Sequence, residues 1–131
     1  MLAARLWLES APAYREGQAW WRSERRIRAA LPAGVGNPHI PDAEIHWPSI
    51  DTSPYAGQVW AIEAELTPKP AGRTARIMTG LLSTPRYAQV VYLTAPAARP
   101  VVTRAAANLP DPVRGRVAVR DLPAAAFLPG R

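Results

Sequence analysis

Gln58-Val59-Trp60-Ala61-Ile62-Glu63-Ala64-Glu65-Leu66-Thr67-Pro68-Lys69-Pro70 is the stretch on which the rest of the chain turns. Read with a period of two, its apolar residues fall on both sides, the pattern of a central strand in a sheet covered on both faces. Glu63 and Glu65 alternate onto one face, about 7 Å apart from the strand rise. Two like charges placed there repel and raise each other's pKa unless something positive lies between them. A divalent cation would resolve the arrangement, with Lys69 just beyond the strand end as an additional positive group.

Working outward, 39–47 alternates well enough to be a second strand. Ile40, Asp42, Glu44 and His46 lie on one of its faces, and Pro41, Ala43, Ile45 and Trp47 on the other. Residues 48–57 are a turn region, so the two strands make an antiparallel hairpin with a long tip. After Lys69 the period becomes 3.6: Thr74, Ile77, Met78, Leu81 and Leu82 mark a helix over 71–83, with Arg73 and Arg76 on its rim. Residues 87–93 form another covered strand, 98–108 a helix, and 116–120 an edge or half-exposed strand. On the N-terminal side, 2–9 and 23–30 read as helices, the second capped by Ser23 and anchored by Trp20, Trp21, Ile27 and Leu31. Arg22, Arg25, Arg26 and Arg28 make one basic surface there, and Glu24 is placed to pair with Arg28 at i,i+4. The order is helix, strand, strand, helix, strand, helix, strand. That is an α/β architecture with a mixed central sheet flanked by helices. Residues 1–22 form an N-terminal helical extension, 23–122 the core, and 123–131 an Ala/Pro-rich tail.

At 131 residues the chain is one domain, large enough to bury a single core. It has no cysteine, so thiol catalysis, cysteine metal sites and disulfides are excluded and the cytoplasm is the expected compartment. The apolar Met1–Glu9 segment is short and broken by Arg5, so neither a signal peptide nor a spanning helix is expected. The net charge is +6, and Lys69 is the one lysine among 16 basic residues. Such a balance suits a polyanionic partner such as nucleic acid, although an Ala/Arg/Pro-rich, lysine-poor composition is also what a GC-rich genome writes. Fifteen prolines cut the chain into short elements and argue against a helical bundle.

A site for a divalent cation with oxygen ligands needs carboxylates from neighbouring strands converging on one point. Asp42 on the first hairpin strand and Glu63 and Glu65 on the second meet that need if the register sets them side by side. His39 and His46, seven apart, are not a zinc pattern and read as ordinary polar residues or phosphate contacts. The tryptophans at 7, 20, 21, 47 and 60 read as core or interface anchors rather than base-stacking platforms. No phosphate-cradling glycine loop and no nucleophile-elbow serine is present.

Pro41-Asp42, followed some twenty residues on by Glu63-Ala64-Glu65, resembles the PD-(D/E)XK, or restriction-endonuclease-like, nuclease superfamily. The element order over 20–120 resembles that family's core as well. Within it, Pro41-Asp42-Ala43 and Ala61-Ile62-Glu63-Ala64-Glu65 look most like the nuclease-like part of actinobacterial replication-relaxation proteins, which are associated with plasmids and integrative elements. The resemblance implies Mg²⁺- or Mn²⁺-dependent phosphodiester hydrolysis, with Asp42, Glu63 and Glu65 as metal ligands. It also lets Glu24 enter the site from the leading helix. The family's usual lysine, two residues after the second acid, is Glu65 here, and Lys69 would return the lost positive charge. Arg22, Arg25, Arg26, Arg28, Arg73 and Arg76 would hold the phosphate backbone. The expected partners are DNA and a second copy of the chain, with no membrane. The alternatives are that Glu63 and Glu65 form ion pairs with Arg73, Arg76 or Lys69, and that the domain is a catalytically silent one that binds DNA or a protein.

Overall fold

A computed structural model describes residues 19–32, 39–49 and 55–122 of the chain. The helix expected over 2–9 and the tail from Pro123 lie outside the described residues. The described chain folds as β1 (Trp20–Ser23), α1 (Glu24–Ala29), β2 (Ala43–His46), β3 (Val59–Glu65), α2 (Ala71–Leu82), β4 (Tyr87–Thr94), α3 (Arg99–Ala107), α4 (Asp111–Arg114) and β5 (Val117–Asp121). The five strands form one mixed sheet in the order β1-β2-β3-β4-β5. The first three run as an antiparallel meander, and β4 and β5 join in parallel after helical crossovers. This is the expected α/β class with a mixed central sheet. No helix of the described residues is long and apolar enough to cross a membrane.

Alternation along β3 assigns the two faces. Val59, Ala61, Glu63 and Glu65 point to one side, and Trp60, Ile62 and Ala64 to the other. On the first side, Ala61, Val90 and Tyr92 pack against Met78, Leu81 and Leu82 of α2 and Val102 of α3. This helix-covered face follows from the 3.6-residue spacing of Thr74, Met78, Leu81 and Leu82, all buried, with Arg73 and Arg76 left exposed on the rim of α2. On the other side, Ala43, Ile45, Trp47, Ile62, Val91 and Leu93 form a second core with Ala19 and Leu122. The hairpin tip closes where Trp47 N–H donates to Gln58 O and Gly57 N–H to Pro48 O. Gly57 takes a φ of 73° there, a value that a residue without Cβ adopts freely.

Two elements differ from the sequence expectation. Trp20–Ser23 is a strand paired with β2, not the lead-in to a helix. The sheet therefore starts inside what was read as an N-terminal extension, and Arg22 belongs to the sheet rather than to the helical arginine surface. Four residues are too few to show a period when the next helix follows at once. The helical turn α4 was also not anticipated, although the proline in its first turn suits a helix start. Ser23 does cap α1, its Oγ accepting from Arg26 N–H at 3.4 Å.

Ile62 has no exposed surface, whereas Leu66, just past the strand end, is 59% exposed. Urea unfolding should therefore show Ile62→Ala destabilised by about 2–5 kcal/mol. Leu66→Ala should stay within about 0.5 kcal/mol of the parent.

Candidate functional site

The helix-covered face carries two anionic centres, one of Asp42, Glu63 and Glu65 and the other at Glu44 of β2. The first is the acid group expected from the sequence. Ala43 pairs with Ile62 across the β2–β3 ladder, so Asp42, one residue earlier, comes opposite Glu63. Asp42 Oδ2 accepts from the Ala64 backbone N–H at 2.8 Å, which clamps the residue preceding β2 to the central strand. Glu63 and Glu65, both buried, project from β3 on the same face as Tyr92 of β4, which pairs with Glu63. The hairpin and strand parity thus bring Asp42, Glu63 and Glu65 to one face of the sheet.

Each acid has a separate partner. His39 Nε2 lies 3.0 Å from Glu63 Oε1, and Lys69 Nζ donates to Glu65 Oε1 at 2.5 Å. The Glu65–Lys69 pair is one of the ion pairs the sequence allowed; the His39 contact was not foreseen. Burial pushes the Glu63 carboxyl above the usual carboxylate range. His39 pulls it back, and Asp42 and Glu65 add to the rise through like-charge repulsion. His39 in turn is raised above the ordinary imidazole range, chiefly by its hydrogen bond to Glu63, against an opposing effect of burial. Tyr92 Oη is buried with no hydrogen-bond partner. Burial drives its phenol far above the ordinary value, with further upward pushes from Glu63, Glu65 and Asp42. Its response to all three carboxylates places this hydroxyl in the field of the acid group. The sequence offered no sign of that, since Tyr92 reads as one more aromatic in a covered strand.

Among the described residues, no three or more His, Asp or Glu side chains stand in a metal-holding arrangement. The geometry supplies the reason: Glu63 turns to His39, Glu65 to Lys69, and Asp42 to a backbone amide. The donor chemistry nonetheless suits a divalent cation. Three carboxylates are hard oxygen donors of the type Mg²⁺ and Mn²⁺ take, and the repulsion that raises Glu63 is of the kind a cation removes.

The other expected site residues lie elsewhere. Glu24 sits in the first turn of α1, bonded to Arg28 at 3.0 Å, the surface pairing that its spacing allowed. It is not among the groups that act on Glu63. Arg25 and Arg26 are exposed on α1, as are Arg73 and Arg76 on α2. Arg22 is drawn onto the sheet, 3.9 Å from Glu44.

Glu44 is the second centre, and its role was not read from the sequence. Its side chain has no exposed surface. Oε2 accepts from Tyr87 Oη at 2.6 Å, and Oε1 accepts from Arg86 at 2.8 Å. His46 Nε2 completes the set at 2.8 Å from Oε1. A carboxylate that already accepts from a guanidinium and a phenol accepts from the imidazole too, which puts the His46 proton on Nε2. Burial, helped by the positive charges of Arg22 and Arg86, holds the His46 pKa below the ordinary imidazole value against the upward pull of Glu44, so the ring is neutral at pH 7. The only hint in the sequence was parity, since Asp42, Glu44 and His46 alternate onto one face; Tyr87 and Arg86 come from more than forty residues away.

Removing the Glu44 carboxylate leaves the buried Tyr87 hydroxyl and the half-buried His46 ring without their acceptor, while exposed Arg86 turns to water, so Glu44→Ala should lose about 1–3 kcal/mol in chemical denaturation. The His39–Glu63 pair sets a pH dependence. A raised folded pKa on His39 gives stability that is complete below the unfolded value and disappears as pH rises through the folded value. The margin in melting temperature of the parent over His39→Gln should therefore shrink as pH rises above the ordinary imidazole value of about 6.5. A margin constant across that rise would show that the pair does not bind its proton more tightly in the folded state.

No protein-family model matches the chain, and no curated protein matches it.

Proposed function

We propose that the chain is a metal-dependent nuclease, or a nuclease-like DNA-processing protein of a plasmid or integrative element, with a restriction-endonuclease-like core. The observation that carries the reading is the placement of Asp42 opposite Glu63, with Glu65 two residues on, on the helix-covered face of a mixed sheet. The antiparallel meander followed by the β3–α2–β4 crossover supports the same family likeness. Asp42, Glu63 and Glu65 would hold Mg²⁺ or Mn²⁺. When bound, the ion supplies an activated water and stabilises the charge on the phosphate oxygens. Glu63 and Glu65 must first give up His39 and Lys69. Lys69, once released, offers its ammonium to the phosphate, in place of the lysine that the family carries where this chain has Glu65. The exposed arginines of α1 and α2 hold the backbone of the nucleic acid, so binding weakens steeply with salt.

One observation favours a second reading, a catalytically silent domain that binds DNA or a protein. His39 and Lys69 already pair with Glu63 and Glu65 without any ion. Thermal melting separates the two. For the enzyme, Mn²⁺ at about a hundred times its Kd should stabilise the parent by about 2.7 kcal/mol. Glu63→Gln should lose that gain and Mn²⁺-dependent cleavage of DNA together. In metal-free buffer the same variant should be more stable than the parent, because it relieves like-charge repulsion. A parent indifferent to metal, with a less stable variant, would identify Glu63 as part of a structural ion pair and sink the enzyme reading.

A further inference from the structure

Trp20 stands on the edge strand β1 and is 45% exposed, although it belongs to the most hydrophobic class of side chain. Its indole stacks on the His46 imidazole, with ring centroids 3.9 Å apart and planes 14° from parallel. The Arg22 guanidinium carbon lies 5.2 Å from the Trp20 ring centroid. Beneath the stack, His46 is fixed by Glu44, and Glu44 is itself held by Tyr87 and Arg86. An exposed tryptophan needs no such bracing to be tolerated. Here a buried carboxylate prevents the supporting ring from turning and so presets the plane of the indole. Arg22 and Arg86 against Glu44, with His46 neutral, leave one excess positive charge around the stack.

We propose that Trp20, supported by His46 and with the Arg22 guanidinium over its ring, is a stacking platform for an unpaired base of single-stranded nucleic acid. A flat π-face beside guanidinium groups is the chemistry that takes a base and its adjoining phosphate without regard to sequence. For Trp20 the proposal departs from the expectation that the tryptophans serve as core or interface anchors. Strand parity places Trp20 on the same face as the acid group: it pairs with His46, which pairs with Val59, four residues before Glu63. Strand spacing and rise put the platform roughly 16 Å from Glu63. Bases inside a duplex are covered on both faces and have none to offer Trp20. The proposal rests on the nucleic-acid reading above, and narrows it to unpaired strands. It does not need catalysis.

The test is equilibrium binding of fluorescently labelled oligo(dT), oligo(U) and a duplex of equal length, in EDTA at one low salt concentration. Without metal, cleavage plays no part, so failure of the nuclease reading and failure of this one are read separately. Trp20→Leu keeps an apolar strand residue and removes the π-face, and should bind the single strands about 5- to 150-fold more weakly. Trp20→Tyr should restore most of the loss, and duplex binding should change little in either variant. Oligo(dT) and oligo(U) separate DNA from RNA as the source of the strand; tight binding of either one supports the platform. Equal affinity of Trp20→Leu and parent would overturn it, as would an equal loss for single strands and duplex. Photo-crosslinking of the parent to an iododeoxyuridine-substituted oligonucleotide covers the case in which the variants do not fold. The peptide carrying Trp20 should be labelled, and labelling confined to other peptides overturns the proposal.

Discussion

A carboxylate removed entirely from water must find its compensation within the fold, and at Glu44 that requirement ties distant parts of the chain together. Stripping water from such a group costs several kcal/mol, which only a full set of donors offsets. Tyr87 at the start of β4, Arg86 just before it and His46 at the end of β2 supply those donors, with Arg22 of β1 close by. None of these groups can move far without leaving the charge unmatched. The register of β1 on β2, and the point at which the chain returns from α2 into β4, are both braced by this one side chain.

The contrast with Glu63, on the neighbouring strand and the same face, separates structure from chemistry. Glu44 is surrounded by donors and by positive charge. Glu63 has one imidazole for a partner, two carboxylates for neighbours and a buried tyrosine hydroxyl without a hydrogen bond beside it. A fold that satisfies one buried acid so fully has not done so for the other. The incomplete satisfaction is local, and it coincides with the residues whose spacing first suggested a cation. Buried groups with perturbed ionisation cluster where chemistry is done, although structural ion pairs perturb carboxylates as well.

Much of this architecture was legible in the sequence, because periodicity is local. The runs at 59–65, 71–82 and 87–94 carry their period in the side chains themselves, and the structure places elements there with bounds close to those expected. Parity within two strands was enough to bring Asp42, Glu63 and Glu65 to one face. What escaped was whatever depends on a partner distant in sequence. Trp20–Ser23 is a strand because β2 lies beside it, not because four residues show an alternation. Glu44 read as an ordinary alternating acid, since its Tyr87 and Arg86 partners arrive only with the crossover. His39 and Tyr92 joined the acid group for the same reason: a rotamer or a cross-strand neighbour, and not a motif, sets their contacts.

The sheet order has a consequence for how the protein is made. Each strand lies beside the one before it in the chain, from β1 at one edge to β5 at the other. A segment emerging during synthesis therefore finds its partner strand already translated, and no interior position has to be held open for a later insertion. The meander that sets Asp42 against Glu63 is complete before the helices that cover it exist. From β3 onward, growth proceeds at a single advancing edge. The final edge ends in Arg120 and Asp121, both charged and exposed, which discourages the addition of a strand from another molecule.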